Sequence, residues 1–190
     1  VMKLTSFMQK GGFLTNRQHL LKEFSKEIGW KFRSNSVFEM PVLEAFPFFR
    51  AKTIDHAYNI FKGQHEDVHF KLMDVEFFEG ELIARESHKH TLLIIELNKT
   101  IPQFRLDKER IFHRIAGLAG FQDIDIYGHE DFSHRFLLRG NDEVAIRNFF
   151  TDRLILFFES HPYYHVESNG EAILILKGQR LASISEVKAL

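Results

Sequence analysis

The stretch His65-Glu66-Asp67-Val68-His69 has the residue types and spacing of a catalytic metal motif, H-E-x-x-H. On a helix, histidines four apart lie about 6 Å from each other on one face and share a zinc ion, with the glutamate as general base. In a strand the same histidines lie about 13 Å apart, at roughly 3.3 Å per residue, and cannot share an ion. The chemistry therefore turns on local conformation. A helical register exists, because Phe61, His65, Val68, Leu72 and Val75 step by four and three. Against it, Gly63 sits inside the would-be helix and Asp74-Val75-Glu76-Phe77 alternates as a strand does. The longer zincin signature wants glycine and histidine where this chain has Leu72 and Val75, and the nearest downstream glutamate, Glu86, falls in a polar turn. The stretch reads as a hairpin. His65, His69 and Glu66 remain the metal set of an alternative, a zinc-dependent hydrolase.

Other constellations are weaker. His88-Lys89-His90 chelates only if extended, when both rings face one way, and it lies in a polar connection. His161 and His165 flank Pro162, which breaks any simple helical pairing. Asp123 and Asp125 share a strand face, with His129, Glu130 and Asp131 behind them. Two carboxylates and an imidazole suit a hard cation or acid–base work, but a polar face opposite Ile124 and Ile126 explains them as well. There is no Gly-rich phosphate loop, no G-x-S-x-G and no Walker lysine. No catalytic set stands out and no cofactor is expected, zinc belonging to the alternative alone.

The elements that would position these residues are an α+β set. The chain has 190 residues and a formal charge of -1, a balance that gives no field for nucleic acid or an anionic membrane. With no cysteine, disulfides, thiolate metal sites and thiol catalysis are excluded, and a cytoplasmic location fits. Its 21 phenylalanines against 4 tyrosines and 1 tryptophan favour a core of rigid rings; a pocket for an apolar ligand is a further alternative. No run approaches the roughly 18 apolar residues of a membrane span. No signal peptide is evident at the N-terminus. Val1 precedes Met2, as in a trimmed chain, so tethering to a membrane through a segment outside it, or through a protein partner, stays compatible.

Thr15 or Asn16 caps a first helix that stops at Gly29, giving an N-terminal helical extension over residues 1–29. Residues 34–52 read as irregular. Ile54–Phe61, Val68–Phe78 and Thr91–Leu97 form a meander, with a turn centred on Gly63 and a bulge near Leu72, where the apolar phase slips. Phe104–Leu106 is extended, and Asp107 caps a helix carrying Ile111, Phe112 and Ile115. Strands at 121–127 and 135–139, helices at 143–150 and 152–160, and a hairpin around Asn169-Gly170 with a type I′ turn complete a single domain over 30–178. Residues 179–190 are a tail in which Ser183-x-x-Glu186 begins a last helix. The fold class is α+β: an antiparallel sheet, meander plus C-terminal hairpin, packed with several helices.

The run Asp123-Ile124-Asp125-Ile126, Glu130-Asp131-Phe132, Phe136, Gly140-Asn141-Asp142-Glu143, Arg147, Phe149 and Thr151 resembles a group of uncharacterised bacterial domains. The Gly63 hairpin, Thr91–Leu97 and Ile101-Pro102-x-Phe104-x-Leu106 are similar to the same group, so the likeness spans roughly residues 30–178. Its members often follow predicted membrane helices, and no catalytic residue is assigned in them. The resemblance implies that Gly63 is a hairpin turn and H-E-x-x-H accidental. The favoured reading is a non-enzymatic binding or interaction domain with a protein partner, using the loops at 79–90 and 127–134.

Overall fold

The computed structural model describes residues 15–36, 39–80, 85–108, 123–161 and 163–190. Among these, eight strands form one sheet in the order β1-β2-β3-β4-β8-β7-β5-β6, every neighbouring pair antiparallel. The strands are β1 (Lys31–Ser36), β2 (Thr53–His65), β3 (Val68–Glu79), β4 (Glu86–Glu96), β5 (Phe104–Lys108), β6 (Phe136–Gly140), β7 (His165–Ser168) and β8 (Ala172–Leu176). The helices are α1 (Asn16–Glu27), α2 (Met40–Glu44), α3 (Glu130–Arg135), α4 (Glu143–Phe149), α5 (Asp152–Ser160) and α6 (Ile184–Lys188).

Side-chain alternation sends each strand's residues to two faces, and the two faces differ in chemistry. One face carries Leu72, Leu93, Ile175, Val166, Leu106 and Leu138 and is covered by α1, α3, α4, α5 and α6 through Leu21, Phe132, Ile146, Ile155, Phe158 and Val187. The opposite face carries Met73, Val75 and Phe77 of β3, Leu92 and Ile94 of β4, and Leu174 and Leu176 of β8. It is covered by the segment from α2 to a 3₁₀ turn at Pro47–Phe49, whose Leu43, Phe46, Phe48 and Phe49 are buried. Fully burying a phenylalanine is worth about 1.5–3 kcal/mol, so this short segment is held by four large side chains rather than by helix length.

Capping explains several helix starts. Thr15 makes a capping box with Gln18, and Ser183 makes one with Glu186. Asp142 accepts from Ala145 N at 2.9 Å, starting α4.

Several expectations are corrected. Gly63 is not the turn: it lies within β2 opposite Phe70, and the hairpin turns at Glu66 and Asp67, with Glu66 at φ 52°. The glycine is there because a Cβ would collide with the Trp30 ring, which stacks on Phe70. The bulge lies not in β3 but in β2, where Asn59 and Ile60 oppose the single residue Met73 and Asn59 takes φ 51°. β3 keeps its alternation throughout and only changes which of its faces is apolar. Residues 31–36, mostly polar, form the edge strand β1. Asp107 is not a helix cap but a buried residue of β5, paired with Leu137 and His165; the helix expected after it lies outside the described residues. Residues 123–126 have no regular structure, although Ile124 N donates to Leu138 O. At the C-terminal hairpin only Gly170 has a positive φ, and Asn169 Oδ1 accepts from Glu171 N and Ala172 N, so the turn is an Asx turn rather than type I′.

Candidate functional site

The face covered by Phe48 changes character across the sheet. After the apolar β3, β4 and β8, the next three strands place His165 and Glu167 (β7), Arg105 and Asp107 (β5) and Arg139 (β6) on the same side, since Arg105 stands opposite both Glu167 and Arg139, and Asp107 opposite His165. Four of these ionisable groups are buried and Arg105 is half-buried, which is unfavourable unless they pair, and they do. His165 Nδ1 lies 2.7 Å from Asp107 Oδ1, Arg139 Nη2 2.7 Å from Asp107 Oδ2, and Arg105 Nε 2.7 Å from the same oxygen. His165 Nε2 lies 3.3 Å from Glu167 Oε2, and Glu167 Oε1 accepts from the Phe48 backbone N–H at 2.9 Å.

His165 is fully buried with a carboxylate beside each ring nitrogen: Nδ1 bonds Asp107, while Nε2 and Glu167 Oε2 make an ionic contact without hydrogen-bond geometry. Burial alone would lower its pKa, but the bonds and charges of Asp107 and Glu167 outweigh burial and hold it above the ordinary histidine value. Burial likewise would raise Asp107, yet the His165 bond and the His165 and Arg105 charges keep it well below the usual carboxylate range. The His–Asp pair has the form of a base with its orienting acid, but the second ring nitrogen meets Glu167 and no solvent-exposed atom. The cluster is an ion-paired knot between strands.

Two further histidines adjoin it. β4 begins at Glu86, so His88 and His90 lie in a strand rather than in the expected connection, and they face one way with ring centroids 6.3 Å apart. His88 stacks on Phe77, and His90 packs against Phe77 and Phe48, whose ring is 5.0 Å from that of His165. Lys52 Nζ sits 4.2 Å over the Phe48 ring and pairs with Glu79 at 2.9 Å. Burial, then the His88 and Lys52 charges, push His90 down to about 4, with Glu79 opposing. The folded value lies below the ordinary 6.5, so the unfolded chain takes the proton first and stability falls as pH drops from 6.5 to about 4. The full drop is worth up to about 3 kcal/mol. In His90→Leu that share of the acid slope disappears, with little loss at neutral pH because the buried Nδ1 it removes has no hydrogen-bond partner. Urea unfolding at neutral pH and near pH 4.5 checks this; equal acid slopes in both proteins would remove His90 as the source.

The other sequence-selected residues do not converge. His65 stands opposite Val68 and His69 opposite Gln64 in the β2–β3 hairpin, so the two histidines point to opposite faces, with Glu66 in the turn between. The helix that H-E-x-x-H zinc chemistry needs is not formed. Asp123 Oδ1 accepts from Leu138 N at 3.0 Å, the Asp125 carbonyl accepts from Arg147, and His129 Nε2 lies 3.1 Å from Asp152 Oδ1. Glu130 and Asp131 form the acidic first turn of α3, and His161 Nδ1 lies 3.0 Å from Phe157 O at the end of α5. Of the 79–90 loop, residues 81–84 lie outside the described residues. Two hollows among the described residues are open and of mixed lining: one of about 280 Å³ is lined by Thr91, Lys177, Gly178, Gln179, Arg180, Ala182 and Glu186, and one of about 390 Å³ by Lys22, Phe32, Arg33, Ser34 and Asn35.

Sequence reasoning missed Asp107, Glu167 and Arg139 as a set. The available signal was a charged residue every second position in otherwise apolar short strands, Arg105/Asp107 and His165/Glu167.

Fold and site together define a mixed α/β domain built on one antiparallel sheet, with a charge knot on one face and most helices on the other. No family model matches the chain, and no curated protein matches it in sequence. In structure it is similar to the mycobacterial trehalose monomycolate transport factor A, TtfA, with a TM-score of 0.60 and 10% identity, over 90% of this chain and 86% of that one. That likeness establishes a shared fold. Among the described residues no helix is long and apolar enough to cross a membrane.

Proposed function

We propose that this chain is a non-enzymatic lipid-binding domain that serves as an accessory factor in lipid transport. The observation that carries the reading is the end-to-end likeness of its sheet and helices to a trehalose monomycolate transport factor. The site supports the non-enzymatic part. Its best acid–base pair, His165 and Asp107, is enclosed and spent on Glu167, Arg105 and Arg139 rather than aimed at a hollow. A protein partner and a membrane-associated location accord with a transport role, as does the resemblance to domains that follow membrane helices.

The test is native mass spectrometry of the purified chain mixed with a detergent-solubilised trehalose monoester of a long-chain fatty acid, with free trehalose as comparator. A one-to-one adduct with the monoester, absent with trehalose and with the ester intact after prolonged incubation, is the expected result. Ester cleavage that follows the protein through repurification removes the non-enzymatic claim. Failure to form any adduct removes the lipid-binding claim.

A further inference from the structure

We infer that Asp55, His56 and Glu76 form a divalent metal site on the β2–β3 ladder, with zinc the best-fitting ion. The inference is independent of the lipid reading. It starts from the register. Ile54 pairs with Phe77 and His56 with Glu76, so Asp55 is an extra residue in β2, and Asp55 and His56 together stand opposite Glu76. A bulge of this kind re-aims a side chain that regular alternation would send to the other face. Here it brings three donors together: one ligand atom each from Asp55, His56 and Glu76 all lie within 4.8 Å of one another. Donors around a shared ion at about 2.1 Å sit roughly 3–3.5 Å apart, so the ion would replace the present 2.7 Å contact between His56 Nδ1 and Asp55 Oδ2 through small side-chain rotations.

The donor chemistry selects the ion. Two carboxylate oxygens and one imidazole nitrogen suit zinc and its first-row neighbours, whereas magnesium and calcium prefer all-oxygen sites. The site is also open. The side chains of His56 and Asp55 are 44% and 52% exposed. Water or an external ligand can therefore complete the coordination. The surroundings set the competition: Ser87 Oγ donates to Glu76 Oε1 at 2.7 Å, orienting it, while Lys89 Nζ lies 3.3 Å from Glu76 Oε2 and competes with a cation there. The His56 ring packs against Tyr58 with centroids 5.0 Å apart, which limits its rotation.

The experiment is isothermal titration of the full chain with zinc chloride in a non-coordinating buffer, with magnesium and calcium as comparators. One zinc per chain is expected, weakened about tenfold or more in His56→Ala and in Asp55→Asn, the effect expected for a lost ligand. Lys89→Met should tighten binding, because it frees Glu76 Oε2. Adventitious surface binding has no reason to respond in that direction. His65→Ala/His69→Ala should bind as the parent does. Circular dichroism confirms folding, and if His56→Ala does not fold, Asp55→Asn and Lys89→Met decide. No zinc binding, parental affinity in the folded ligand variants, or loss of binding in the hairpin variant instead would overturn the inference.

Discussion

Asp107→Ala should lower folding stability by about 3–5 kcal/mol, the range for removing one partner of a buried ion pair. Asp107 is 4% exposed and holds three cationic donors: His165, Arg105 and Arg139. Without it His165 keeps only the 3.3 Å contact to Glu167 and Arg139 loses its 2.7 Å bond to Asp107, and reducing the compensation of buried charges is what makes the loss large. Against a typical net stability of about 5–15 kcal/mol, that is roughly a fifth or more of the total. Asp107→Asn preserves shape and one acceptor, so it should fall between. The effect depends on pH with a definite sign. His165 is raised above its ordinary 6.5, so its contribution is complete below 6.5 and fades as pH rises through the folded value. Asp107 is lowered from 3.8, so its contribution is complete above 3.8 and is lost only in stronger acid. The difference between parent and Asp107→Ala should therefore be widest between about pH 4 and 6.5 and narrow in alkali. Urea unfolding across that range measures it, and a loss under about 1 kcal/mol near pH 5.5 would show that the knot is not stabilising.

Asp74→Ala is expected to cost a similar amount, about 3–5 kcal/mol, but with a local signature. Asp74, 1% exposed, accepts from Arg17 Nε and Nη2 at 2.8 and 2.9 Å, from Asn59 Nδ2 at 2.8 Å and from Thr91 Oγ1 at 2.5 Å. Arg17 also donates to the Ala182 carbonyl at 2.6 Å, and Ala182 N donates to Thr91 Oγ1 at 2.9 Å. One carboxylate thus ties α1, the β2 bulge, β4 and the segment leading into α6 to the middle of β3. A bidentate arginine pair carries both strength and geometry, so its loss should release α1 and α6 first. Hydrogen exchange followed by mass spectrometry should show faster exchange over residues 16–27 and 183–190 than over β3 and β4. Unchanged protection in α1 would mean that Leu21 and the packing around it, not Arg17, hold the helix.

Much of the local structure was legible before any coordinates. The alternation in β2 and β3, the apolar run of β4, the Asn169-Gly170 turn signal, the N-cap at Thr15, the capping box at Ser183, and the two successive helices α4 and α5 are all decided by residues within a few positions of one another. The strand preference of the His65–His69 stretch was legible for the same reason, since Gly63 and the alternation at 74–77 weigh against a helix. β1 was not legible, because its polar residues become a strand only by pairing with β2. The role of Gly63 was misread because a glycine that makes room for a ring 33 positions away looks in sequence like one that makes a turn.

The sequence by itself determined the kind of element at most positions, the absence of thiol chemistry and the near-neutral charge. Only the tertiary structure decided the order of the sheet, and with it both sites. Asp107 and His165 are 58 residues apart, and Asp74 and Arg17 are 57 apart. A buried carboxylate is unfavourable in any local segment and becomes favourable only when cations from other strands arrive beside it. Likewise, Asp55, His56 and Glu76 converge because a one-residue bulge in β2 is set against a regular β3. Period and capping are short-range effects, whereas register and ion pairing depend on which strands become neighbours, and that choice is made by the core as a whole.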